Sequence, residues 1–163
     1  MPDDLHQCYR HFLGQTGIPF KPVTSVEDWH LRISFLPSFL PEIVYDVDHR
    51  GRKTLFYRTR LRSSAWMAVM QAHQKKGQIH PVTSERSCAE LPASHELVRL
   101  IADEHVFRMR DTECYQLDGD SYIVEFTHSS GVVELEAWSS TIEGTWHRIL
   151  SALHSASTLL PAT

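Results

Sequence analysis

Residues 113–160 read ECYQLDGDSYIVEFTHSSGVVELEAWSSTIEGTWHRILSALHSASTLL, and this stretch decides the fold. Asp118-Gly119-Asp120 separates the run Cys114–Leu117 from the run Tyr122–Thr127. An Asp-Gly pair between apolar runs signals a hairpin, because glycine reaches the positive φ that a tight turn needs. In the second run Tyr122, Val124 and Phe126 fall on one face, and Ile123, Glu125 and Thr127 on the other. His128-Ser129-Ser130-Gly131 reads as a second turn. Val133, Leu135 and Ala137 then alternate with Glu134, Glu136 and Trp138. The pattern predicts an antiparallel meander buried on one side. Ser140 and Glu143 have capping-box spacing, and Trp146, Ile149, Leu150, Leu153, Ser157 and Leu160 follow a helical stripe that Pro161 stops. A one-faced helix after a one-faced sheet is expected to cover it.

Outward from this unit, Leu5, Cys8, Tyr9, Phe12 and Leu13 have the spacing of an amphipathic helix, with Cys8 on its apolar stripe as a buried thiol. Leu31, Ile33 and Phe35 alternate with Arg32 and Ser34, as in a short strand. A long hairpin follows. Ile43, Tyr45 and Val47 alternate with Val44, Asp46 and Asp48, and the turn is Asp48-His49-Arg50-Gly51-Arg52. On the return strand Leu55, Tyr57 and Thr59 oppose Phe56, Arg58, Arg60 and Arg62, and Asp46 and Asp48 are expected to pair with that basic face. Trp66, Val69, Met70 and His73 have helical spacing between a serine cap and Gly77, although Trp66–Met70 would also serve as a buried strand. Residues 78–92 lack a period and read as a loop with a short strand at Ile79–Val82. Ser94 is expected to cap a helix carrying Leu97, Val98 and Ile101, and Val106–Arg110 to form a strand leading into the meander. The whole, residues 1–163, is expected to be a single α+β domain: an antiparallel sheet of meander plus hairpin, with three to four helices packed mainly on one face.

Composition is that of a globular chain, 42% apolar and 22% charged. No run approaches the roughly 20 apolar residues that span a bilayer. Asp3 and Asp4 stand where a signal peptide would be basic, so a cytoplasmic location is expected and a membrane partner is not. Three scattered cysteines, without Cys-x-x-Cys spacing, argue against a disulfide framework or a thiolate zinc site. The net charge of −4 is unevenly placed: Arg50, Arg52, Lys53, Arg58, Arg60, Arg62, Lys75 and Lys76 fall in a segment with no Asp or Glu.

No phosphate loop, nucleophile elbow or dinucleotide motif is present. Among the eleven histidines, His147 and His154 are seven apart on one helix, about 10 Å along its axis, too far to share a zinc. No metal or other cofactor is therefore expected. Asp46, Asp48 and His49 fit turn chemistry better than an acid–base cluster, and Cys88 is the one thiol placed near basic residues that would activate it. The alternation of Phe56, Arg58, Arg60 and Arg62 sets three guanidinium forks beside a ring, a surface suited to carboxylates or phosphates. Glu134, Glu136 and Trp138 form an acidic surface with an aromatic anchor. These seven residues are the candidate binding set. They point to a small protein-interaction module without catalysis, concretely an inhibitor or immunity-type protein that binds another protein through charged sheet faces. The alternatives are an enzyme whose site assembles Asp46, Asp48, His49 or Cys88, and a nucleic-acid binder using Arg58, Arg60 and Arg62; the sequence pI near 6.2 weakens the latter.

Overall fold

In a computed structural model, residues 3–37, 40–102, 120–138 and 145–161 are described. Ten elements follow in order: α1 (Asp3–Gly14), β1 (Trp29–Leu36), β2 (Ile43–Arg50), β3 (Lys53–Leu61), α2 (Ala65–Lys75), β4 (Ser84–Leu91), α3 (Glu96–Ala102), β5 (Ser121–His128), β6 (Gly131–Trp138) and α4 (Thr145–Ser157). The six strands form one antiparallel sheet in the order β4-β3-β2-β1-β5-β6. Among the described residues the α+β class, the antiparallel sheet and four helices are as expected, but α3 and α4 cover one face and α1 the other, where packing mainly on one face was expected. No helix among the described residues is long and apolar enough to cross a membrane.

Strand parity builds two faces. Leu31 and Ile33 of β1, Val47 of β2, Phe56 of β3 and Val124 and Phe126 of β5 are buried on one face, beneath Leu97 and Ile101 of α3 and Ile149, Leu153 and Ala156 of α4. Each large side chain so buried contributes about 1.5–3 kcal/mol. The larger apolar layer thus lies under two helices. A smaller one joins α1 and α2 through Leu5, Tyr9, Leu13, Leu61, Ala65 and Val69. Contacts of α1 with Arg32 and Glu134 place it over the opposite face of the sheet.

The β5–β6 hairpin and the alternation along β5 are as read from the sequence, and the long hairpin is β2–β3. Strand pairing there continues to Arg50 opposite Lys53, and Gly51 takes a positive φ of 59° in the tight turn. Residues 65–75 are helical. Ser64 Oγ accepts from Met67 N–H, and Lys76, not Gly77, adopts the left-handed conformation that ends α2.

Further expectations change. Residues 84–91 are an edge strand paired with β3 over eight residues, where a loop was expected, and the short strand expected at Ile79–Val82 is not formed. Only Ser87 and Leu91 of β4 are buried, so its Ser, Glu and Arg positions leave no alternation to read. Helix α3 opens after His95, whose ring accepts from Leu97 N–H, so Ser94 is not shown to cap it. Cys8 is exposed rather than buried. The expected strands at 106–110 and 114–117, the turn Asp118-Gly119 and the box Ser140–Glu143 lie outside the described residues.

Candidate functional site: a basic cleft between the sheet and helix α4

Antiparallel pairing aligns side chains in rows across the sheet, and the rows separate the predicted charges. Arg58 lies between Tyr45 and Ser87, and Arg60 between Ile43 and Glu85, on the face that carries α4. Asp46 and Asp48 face the other way, opposite Tyr57 and Leu55. The expected pairing of Asp46 and Asp48 with the arginines is therefore impossible, since the sheet stands between them. Glu134, opposite Glu125, also lies across the sheet, where Arg10 pairs with it.

The arginines instead line a cleft of about 310 Å³ with Ile43, Tyr45, Glu85, Ser87 and, from α4 and the residue after it, His154, Ser157 and Thr158. Arg58 is half-buried and Arg60 exposed, and neither has a carboxylate partner among the described residues. Glu85 is taken by Arg62, 2.5 Å away. The hydroxyls of Ser157 and Thr158 donate to Leu153 and Ser155 carbonyls. Burial pushes the Tyr45 hydroxyl above its ordinary range, against the pull of Arg58 and a bond with Ser157. The end of α4 brings a partial negative charge of about one half, which two full guanidinium charges outweigh.

The remaining predicted residues divide. Phe56 is fully buried in the core and presents nothing to a partner. Arg62 lies just past β3 in its pair with Glu85. Glu136 is half-buried on the Glu134 side, and of Trp138 only the backbone pairing with Ser121 is described. The alternative catalytic set is split as well. His49 stacks on Trp29 and bonds Thr54 Oγ1 at 2.7 Å on the core face, away from Asp46 and Asp48. Cys88 is exposed on β4 beside Tyr57 and Arg86, with no histidine base opposite it in the pairing. No group of three metal-ligating side chains is found among the described residues.

Sequence reading missed a buried polar network on the opposite face. His30 and Arg32 of β1 both reach Asp46 Oδ1, at 2.9 and 2.7 Å, and all three are at most 1% exposed. Asp46 Oδ2 accepts from Ile18 N–H at 3.0 Å. Arg32 also donates to Gly14 and Ile18 carbonyls, and the Phe20 ring covers its guanidinium. Burial alone would raise the Asp46 carboxyl. The bond from His30, the charge and bond of Arg32 and the Ile18 amide together hold it below the usual carboxylate range. His30 Nδ1 lies 3.4 Å from Asp48 without hydrogen-bond alignment. The His–Asp pair is closed over by residues 14–20, so its work is to tie that strap to the sheet. A second buried carboxylate, Glu42, accepts from Tyr9 Oη and from Ala65 and Trp66 N–H, locking α1 to the start of α2. Charged residues alternating with Leu31 and Ile33 were the available signal for the first network; Glu42 had none.

Comparison with family models, with curated proteins and with solved structures finds no match.

Proposed function

We propose that this chain is a non-catalytic protein-interaction module whose Arg58–Arg60 cleft receives an acidic group of a partner protein. One observation carries the reading: two guanidiniums line a cleft and form no ion pair among the described residues, and Glu85, the acidic residue of the lining, pairs with Arg62. A solvated structural pair would have closed on Asp46, Asp48, Glu134 or Glu136, and the sheet keeps all four on the far side. Shape and charge of this kind confer specificity and speed encounter. Glu134, paired with Arg10 beneath α1, and the half-buried Glu136 lie on the reverse of the sheet and do not add to this surface. In its concrete form the module is a cytoplasmic inhibitor or immunity-type protein that blocks another protein by occupying its surface.

The test is affinity capture from native lysate with the wild type and with an Arg58→Glu/Arg60→Glu variant of matched thermal stability. A protein retained by the wild type and absent with the variant supports the reading. Retention of the same proteins by both, or of nucleic acid alone that nuclease removes, contradicts it.

A further inference from the structure

We infer that the group received in the cleft is the dianionic phosphate monoester of a phosphorylated side chain on the partner, an inference that rests on the protein-binding role proposed above. The donors decide the class. Arg58 and Arg60 are two apart on β3, so their stems leave the same face about 7 Å apart along the strand. Their guanidiniums can converge on one group between them. A carboxylate has two oxygens and fills one guanidinium fork, whereas a phosphoryl group has three terminal oxygens and can take both.

The rest of the lining agrees. Ser157 and Thr158 already donate inward to helix carbonyls, which leaves Arg58, Arg60 and His154 as the charged or chargeable donors at the mouth. Glu85, the one acidic residue of the lining as described, pairs with Arg62. Ile43 and the ring of Tyr45 supply an apolar floor for the carbon stem that bears the phosphate. A volume of about 310 Å³ accommodates one phosphorylated side chain. The monoester is favoured over the nucleic-acid diester because it brings close to two charges rather than one at neutral pH. The diester would also have to approach a chain of net charge −4.

The experiment uses the full chain with phenyl phosphate, benzoate and a single-stranded oligonucleotide as probes, followed by nuclear magnetic resonance. The lysate capture is repeated after phosphatase treatment. Phenyl phosphate is expected to bind at least ~10-fold more tightly than benzoate, from one additional charged fork. Resonances of Arg58, Arg60 and His154 should move, and Arg58→Lys/Arg60→Lys, which keeps the charge and loses the forks, should abolish the preference. The captured partner should be lost after phosphatase. Equal binding of benzoate, or stronger binding of the oligonucleotide, overturns the assignment. A captured partner that survives phosphatase but is lost in Arg58→Glu/Arg60→Glu overturns it too, while leaving the protein-binding role standing. Binding of phenyl phosphate with no phosphatase-sensitive partner overturns the phosphoprotein assignment in favour of a small phosphomonoester.

Discussion

Replacing Asp46 with alanine tests whether the buried network holds the strap to the sheet. The change leaves Arg32, 1% exposed, without its carboxylate, and Ile18 N–H without its acceptor. Removing one partner of a buried ion pair costs about 3–5 kcal/mol. Arg32 keeps the Gly14 and Ile18 carbonyls, which favours the lower end, about 3 kcal/mol, a large share of the roughly 5–15 kcal/mol that stabilises a domain. For a chain of this size the melting temperature should fall by roughly 6–12 °C. Guanidinium denaturation followed by the fluorescence of the four tryptophans measures the loss. Arg32→Met/Asp46→Leu should recover most of it, because an apolar pair of similar volume avoids burying charge. The pH dependence has a fixed sign. The folded Asp46 carboxyl lies below its ordinary value, so its stabilisation is full above about pH 4 and fades as pH falls through the lower folded value. A cost under ~1 kcal/mol for Asp46→Ala, or strict additivity with Arg32→Met, would refute the reasoning.

Gly17→Ala should destabilise by about 1–3 kcal/mol in thermal melts, because a Cβ there would stand 2.5 Å from Arg32 Nη2 and 2.6 Å from Asp46 Oδ2. Burial, with Glu42 adding to it, raises the Tyr9 hydroxyl far above its usual value, and burial also raises Tyr45 and Tyr122. Their stabilisation is complete below about pH 10 and is lost as pH rises further, so a pH titration of circular dichroism should show unfolding and tyrosine ionisation together rather than ionisation first. Burial, and Glu134 opposite, push the Glu125 carboxyl up against the pull of Arg32. The ionised form is thus disfavoured on folding, and Glu125→Gln should raise the melting temperature at pH 7 while matching the wild type near pH 3, where both side chains are neutral.

Much of the fold was legible because period-two alternation survives wherever one face of a strand is buried. Tyr122, Val124 and Phe126 in β5 and Ile43, Tyr45 and Val47 in β2 announced their faces from sequence alone. Strand β4 did not, because an edge strand buries little and its Ser84, Glu85 and Arg86 are all exposed. The row containing Arg58 and Arg60 was visible as a pattern, but its neighbours were not. Which helix roofs that row, and which side of the sheet takes the acidic residues, follows from long-range pairing that no local spacing encodes. Phe56 shows the limit from the other side: it shares the arginines' face, yet it lies where α3 and α4 bury it. The His30–Arg32–Asp46 network escaped for the same reason, since its members come from two strands and a strap that meet only in the folded chain.

The most direct test of the central claim is a calorimetric titration of the captured partner into the wild type and into Arg58→Glu/Arg60→Glu, at about 50 and 200 mM salt, where screening of exposed charges differs strongly. The cleft account predicts stoichiometric binding by the wild type that weakens with salt, and none by the variant. Equal affinity of the two proteins, or binding indifferent to salt, would contradict it.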